Sequence, residues 1–249
     1  MIDPRTYKAR PDLLRERVIL VTGATRGLGR MAAIAFAGHG ATVVLHGRNQ
    51  TALEAVYDEI ESNGHGPQPA AIPLDLLGAT VRDYDALAYA IESRIGRLDG
   101  ILHNASHLGK LSALEHQTIE EWTTTLRVNL VAPAALNQAC TRLLRASGDA
   151  SVILTSETHG HVPAAFWGAY AASKAGLEAL MKIQAAEWSD SPNLRINTII
   201  PGPVASPSRA RTHPGEVAAT MRKPETLIPA YLYLMGPDSR GTSGLVVDG

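Results

Sequence analysis

The stretch V-I-L-V-T-G-A-T-R-G-L-G at residues 18–29 decides the fold. Val18 to Val21 form a short apolar run that ends at a glycine turn, and a helical pattern follows through Ala32, Ala33, Ile34, Phe36 and Ala37 until Gly38 and Gly40 stop it. The order is strand, turn, helix. It recurs at Thr42 to Leu45 before a helix from Thr51 to Ser62, and at Ala70 to Leu74 before a helix around Asp83 to Arg94. Later strand candidates are Gly100 to His103, Ser151 to Thr155 and Arg195 to Ile200, each a continuous apolar run suited to burial on both faces. Strands alternating with helices across short loops predict a doubly wound α/β domain, a parallel sheet covered by helices on both faces. The sequence contains no fixed-period repeat. Residues 1–16 read as a surface arm with a helical turn around Leu13 and Leu14, and 17–249 as one domain. The proline-rich stretch Pro201 to Pro224 suggests a lid over a pocket, with the substrate loop at about 203–224; an ordinary surface loop is the plainer alternative.

Composition narrows the partners. With 23 Lys plus Arg against 24 Asp plus Glu, a net charge of -1 supplies no broad field for nucleic acid or an anionic membrane. The one cysteine, Cys140, forms no internal disulfide, which favours a reducing compartment and predicts a cytoplasmic protein. The charged opening residues do not resemble a secretory signal, and no window has the length of a membrane span.

Gly23, Gly27 and Gly29 lie where a strand meets a helix, with Thr25 and Leu28 between them. Missing side chains permit the tight turn and let a pyrophosphate approach the free N–H groups of the helix end. After the second strand the sequence runs His46-Gly47-Arg48-Asn49, where a fold that selects NAD presents an acid to the ribose diol. Without that acid, Arg48 and Arg26 favour a 2′-phosphate and hence NADP(H); two solvated surface arginines are the plainer reading.

Tyr170 and Lys174 are four residues apart in G-A-Y-A-A-S-K-A-G, on one face of a predicted helix. A nearby ammonium favours the ionised phenol and brings proton exchange with an alcohol or carbonyl closer to neutral pH. With the glycine turn, the pair suggests redox chemistry.

Taken in order, T-G-A-T-R-G-L-G, Asp75, H-N-A-S at 103–106, Asn129 in R-V-N-L, Y-A-A-S-K and P-G-P-V-A-S at 201–206 resemble the classical short-chain dehydrogenase/reductase family over nearly the whole chain. The segments R-P-D-L-L-R-E-R, L-D-L-L, W-G-A-Y-A-A-S-K and Y-L-Y-L-M-G-P-D-S-R are similar to its bacterial YciK-like subgroup. The resemblance implies an oxidoreductase moving hydride between a nicotinamide and a carbonyl or secondary alcohol, and roles follow residue by residue. Tyr170 exchanges the proton, Lys174 lowers its pKa and holds the nicotinamide ribose, and Asn129 carries a water. Asp75, with Leu76 beside it, contacts the adenine. Asn104, Ala105 and Ser106 line the cofactor, and Pro201, Gly202, Val204 and Ser206 border the nicotinamide. Plainer readings remain for each: a helix cap for Asp75, a turn for Asn104, a strand end for the proline and glycine.

One position departs. Counting back from Tyr170 and from Gly160, the usual catalytic serine falls on Glu157, and Ser156 is its neighbour. Adjacent side chains on a strand point to opposite faces, so only a bulge would bring Ser156 round. An ionised Glu157 cannot donate a hydrogen bond to the substrate oxygen, opposes a tyrosinate and attracts Lys174. The competing reading is therefore a cofactor-binding module with little turnover. Ser106 replaces a common glycine, with a conformational cost if the backbone needs positive φ, and His103 replaces a common asparagine. The expected substrate pocket is bordered by His107, Leu108, His159, Val162, Phe166, Trp167 and the loop after Pro203. Arg209, Arg211 and Arg222 suggest an acidic or acyl-carrier-linked ligand, or simply a solvated lid. His159 and His161 read as pocket or surface groups rather than metal ligands, and no metal is expected. The helices holding Asn129 to Leu144 and Tyr170 to Trp188 carry small apolar positions, and the resemblance implies that they pair in a homodimer or homotetramer; internal packing explains the same pattern.

Overall fold

The computed structural model describes residues 3–64 and 66–249. Seven strands form one parallel sheet: β1 (Val18–Thr22), β2 (Thr42–Gly47), β3 (Ala70–Pro73), β4 (Gly100–His103), β5 (Ala150–Thr155), β6 (Leu194–Ile200) and β7 (Val246–Asp248). Between them run α1 (Gly27–Gly38), α2 (Gln50–Asn63), α3 (Val81–Ile95), α4 (Ile119–Leu126), α5 (Ala132–Ala146), α6 (Thr158–His161), α7 (Gly168–Glu187), α8 (Pro207–Thr212) and α9 (Ile228–Met235). The spatial order β3-β2-β1-β4-β5-β6-β7 reverses direction between β1 and β4. Chain paths diverge there, and a crevice opens at the carboxyl ends of the strands.

Alternation along each strand divides the core in two. Ile19, Val21, Val43 and Leu45 face α1, α2 and α9, while Val18, Leu20 and Val44 face α3 and α5. Two helices carry capping boxes, Thr80 with Asp83 on α3 and Thr118 with Glu121 on α4, and Asn49 accepts from Ala52 N at the start of α2.

The described part of the opening segment, residues 3–16, is largely at the surface but anchored at its end and at Tyr7. Leu13 and Leu14 are 3% and 0% exposed and belong to the core cluster of α1 and α9. The Tyr7 ring meets Tyr233 edge-on at 5.4 Å, and its hydroxyl donates to Asp238 at 2.7 Å. Charged neighbours on both sides hide this leucine pair in the sequence. The stretch after β6 is also structured: α8 is capped by Ser206, Val204 bridges Arg222, and Ala205 N donates to Arg222 O at 3.0 Å. A loop closed at its own base arches beside the crevice.

At the opposite end of the sheet, buried charges tie the strand starts together. Asp149 accepts from Arg17 Nη1 at 2.6 Å and also pairs with Arg195. Asp99 accepts from Val18 N at 2.9 Å and from Ser147 Oγ at 2.6 Å. Burial pushes the Asp149 carboxyl up, but the guanidiniums of Arg195 and Arg17 outweigh it and hold the group below its ordinary value. Asp149→Ala leaves two buried cations facing each other and is expected to cost about 3 kcal/mol in urea denaturation at pH 7. Because the folded-state carboxyl is the stronger acid, its contribution is present above the unfolded value of about 4 and is lost as pH falls below that; the gap between wild type and variant should narrow in the same window.

Candidate active site

The crevice is a cleft of about 590 Å³. Gly23, Thr25, Arg26, Gly27 and Leu28 line it from the β1–α1 turn, Arg48 and Asn49 from the end of β2, and Asp75 and Leu76 from the end of β3. Asn104, Ala105 and Ser106 follow β4, Ser156 and Glu157 follow β5, and Pro201, Gly202, Val204 and Ser206 follow β6. Tyr170 and Lys174 project from α7. Two of the expected catalytic and cofactor residues do not line the cleft. Gly29 lies inside the turn, where a Cβ would overlap the Gly23 carbonyl and the Asn104 amide, and Asn129 is 1% exposed behind Ser106 and His107.

At one end the cleft offers an anion cradle. Gly27 has φ +55 and open space where a Cβ would project, and Gly23, at φ +66, would bring a Cβ within 2.8 Å of Ala105 Cα. Helix α1 begins at Arg26 with no side-chain cap and no acid in its first turn, so its N–H groups remain available to a ligand. Arg26 and Arg48 border the same end. This set fits the pyrophosphate and 2′-phosphate of a dinucleotide.

At the other end, Lys174 is 3% exposed and donates from Nζ to Thr155 O at 2.8 Å, with Nζ 5.7 Å from the centroid of the Tyr170 ring. Burial holds the ammonium down to about 8, against a smaller upward pull from Glu157. The phenol is not acidified as the Tyr–Lys spacing suggested. Burial pushes Tyr170 up to about 12, an interaction with the Ser106 hydroxyl lowers it, and the charge of Glu157 raises it again. Desolvation is the largest effect on the phenol, while Nζ of Lys174 donates to the Thr155 carbonyl.

Glu157 occupies the cleft wall. Parallel pairing continues regularly through Thr155 opposite Ile199, and Ser156 N donates to Ile199 O at 2.8 Å, so no bulge turns Ser156 round. Ser156 Oγ instead donates to Glu178 Oε1 at 2.7 Å, and His161 Nδ1 pairs with Glu178 Oε2 at 2.9 Å. Glu157 Oε2 accepts from His159 N at 2.6 Å and caps α6. Lys174 is not drawn away: among the described residues no ion pair joins it to Glu157. Helix α6 rests directly on α7, where a Cβ at Gly160 would overlap that of Lys174.

Asn129 sits in a π-helical turn, Arg127–Val131, between α4 and α5. Its Oδ1 accepts from His107 N at 2.7 Å and its Nδ2 donates to His107 O and Ser173 Oγ, each at 2.9 Å. The amide braces the β4 loop against α7, which leaves its side chain little capacity to hold a water. Ser106 has no positive φ, so the expected conformational cost is absent. His103 pairs with Asn137 at 2.8 Å and is held down to about 4 by burial, a packing role.

Of the expected pocket residues, His107, Leu108 and Trp167 line the cleft and His159, Val162 and Phe166 do not; His159 stacks behind Trp167 at 4.2 Å. Arg209 lines it but is held by Glu216, and Arg222 is spent on the Gly249 and Pro201 carbonyls. The sequence reading missed Thr124, Val128, Thr155 and His46. Thr155, the last residue of an apolar run, and His46, in the His46-Gly47-Arg48-Asn49 stretch after the second strand, had a signal. Among the described residues no cluster of His, Cys, Asp and Glu is arranged to hold a metal, and no helix is long and apolar enough to cross a membrane.

A family model described as short chain dehydrogenase matches residues 17–216. The chain belongs to the short-chain dehydrogenase family. It is 41% identical over 242 residues to the oxidoreductase YciK of Escherichia coli strain K12, covering 97% of this chain and 95% of that one. A short-chain dehydrogenase structure from Pseudomonas syringae superposes with a TM-score of 0.94 at 45% identity, covering 97% of this chain and 98% of that one. One from Shigella flexneri 2a strain 301, complexed with NADP, gives 0.92 at 41%, covering 96% and 99%. The doubly wound parallel sheet of this short-chain dehydrogenase is therefore the fold class expected from its sequence, with a seventh strand added at the β6 edge.

Burial of Lys174 has a thermodynamic consequence. Its folded value of about 8 lies below the unfolded value near 10.4, so the lysine penalises folding fully below about 8 and not at all well above 10.4. Lys174→Met is expected to raise stability by about 2 kcal/mol at pH 7, measured by urea denaturation, with the gain shrinking as pH rises from 8 to about 10.

Proposed function

We propose that this short-chain dehydrogenase is an NADP(H)-dependent oxidoreductase acting on a small carbonyl compound or secondary alcohol. One observation carries the reading: a single cleft has an uncapped helix end with two arginines at one end and a buried tyrosine–lysine pair at the other. The NADP complex of the Shigella flexneri relative supports the phosphorylated cofactor.

In this reading the first turn of α1 holds the pyrophosphate, and Arg26 and Arg48 pair with the 2′-phosphate. Asp75, whose Oδ1 accepts from Leu77 N at 3.2 Å, keeps its second oxygen for the adenine amine. Bound there, the nicotinamide supplies or takes up the hydride at the carbonyl carbon. Tyr170 gives its phenolic proton to the carbonyl oxygen on reduction and recovers it on oxidation, while Lys174 holds the ribose and stabilises the phenolate. Thr155 O aims the ammonium. A water linking Lys174 to solvent would be held by the Asn129 backbone, since its side-chain amide is engaged. The protein works in the cytoplasm, as a homodimer or homotetramer paired through the helices holding Asn129 to Leu144 and Tyr170 to Trp188.

A second reading, a cofactor-binding module with little turnover, is favoured by the Ser156–Glu178 hydrogen bond, which removes the hydroxyl beside the position of the missing serine. Reduction assays over a carbonyl panel with calorimetric NADPH titration separate the two: tight binding without oxidation of NADPH favours the module.

Tyr170→Phe is expected to lower kcat at least about hundredfold while NADPH affinity changes little; full turnover in this variant would exclude the proton route. Glu157→Ser should raise kcat/KM for an uncharged ketone about tenfold, by restoring a donor where charge develops. Arg48→Ala should weaken NADPH about tenfold in calorimetry and leave NADH nearly unchanged.

A further inference from the structure

Glu157 stands in the cleft wall with half of its carboxylate committed. Oε2 is fixed by His159 N at 2.6 Å, and among the described residues no donor reaches Oε1. The cations within electrostatic reach have other partners. Lys174 Nζ donates to Thr155 O at 2.8 Å, and Arg209 is held by Glu216 through both Nε at 2.7 Å and Nη2 at 2.6 Å. Glu157 is only half-buried in the cleft wall, so Oε1 is open to pairing with a cation bound there. Trp167 and Tyr170 line the same part of the cleft, and aromatic faces beside a carboxylate favour a cation further.

We infer that Glu157 is a specificity residue that selects substrates carrying an ammonium group beside the reacting carbonyl or alcohol. This rests on the oxidoreductase reading and names its substrate class. The charge on Glu157 is one of the effects that keep the Tyr170 phenol from ionising. A cation seated against Oε1 offsets that charge, so an ammonium-bearing substrate relieves the handicap that glutamate imposes at this position, and a neutral ketone does not. The preference therefore falls on kcat as well as on KM. Hydride still goes to the carbonyl carbon and the Tyr170 proton to the oxygen, and the ammonium is unchanged.

The test compares three methyl ketones with NADPH-saturated protein: acetonyltrimethylammonium, its uncharged isostere neopentyl methyl ketone, and levulinate. The wild type is expected to favour the cation over the isostere by about tenfold in kcat/KM and to be slowest on levulinate. In Glu157→Gln, which can still accept from His159 N, the cation preference should fall to within about twofold. Equal rates for cation and isostere in the wild type, faster turnover of levulinate, or a preference that survives in Glu157→Gln overturns the inference; the wild-type comparison needs no variant to fold. Calorimetric titration of acetonyltrimethylammonium into NADPH-saturated protein, at low and at raised salt, is the second readout, with binding expected to weaken as salt rises. If the cation binds the wild type and not Glu157→Gln while no ketone is reduced, the ammonium site stands and the oxidoreductase reading falls. If ketones are reduced without regard to charge, the ammonium site falls and the reaction stands.

Discussion

A buried ammonium with one carbonyl to hold it organises the site. Lys174 is almost wholly out of water, and its hydrogen bond to Thr155 O fixes where α7 stands against the end of β5. Once that contact is made, Tyr170 lies one turn earlier on the same face, and Gly160 lets α6 press onto the lysine stem without a Cβ between them. The same approach carries Glu157 toward both groups. Burial raises the phenol and lowers the ammonium to about 8, so near pH 7 the resting site sets a neutral phenol beside a charged lysine.

The sheet separates this chemistry from its supports. Buried guanidiniums and carboxylates gather the strand starts around Asp149 and Asp99, far from the cleft, and leave the carboxyl ends free to diverge at the β1–β4 reversal. The cleft is lined mostly from loops and helix starts, while the buried ion pairs lie at the opposite end of the sheet.

Most of the architecture was readable because its signals are local. Apolar runs marked six of the seven strands, and the glycine turn located the cleft; the spatial order of the strands was not legible in the sequence. β7 was missed because Val246–Asp248 is only three residues long and gains its pairing from β6. The packing of Leu13 and Leu14, the Asn129 brace and the Ser156–Glu178–His161 chain all depend on residues distant in sequence, which periodicity does not report. The pattern placed Glu157 in the serine position, but only the folded chain distinguishes its held oxygen from its unpaired one.

The central claim is that the cleft moves hydride and does not merely hold a dinucleotide. It is tested most directly by mixing the protein with a ketone and NADPH carrying deuterium at the transferable position, then analysing the product by mass spectrometry. The account predicts one deuterium on the carbinol carbon of each alcohol formed, and at least about hundredfold less labelled alcohol in the same time when Tyr170→Phe replaces the wild type. NADPH that binds tightly yet yields no labelled alcohol from cationic, neutral or anionic ketones would contradict it.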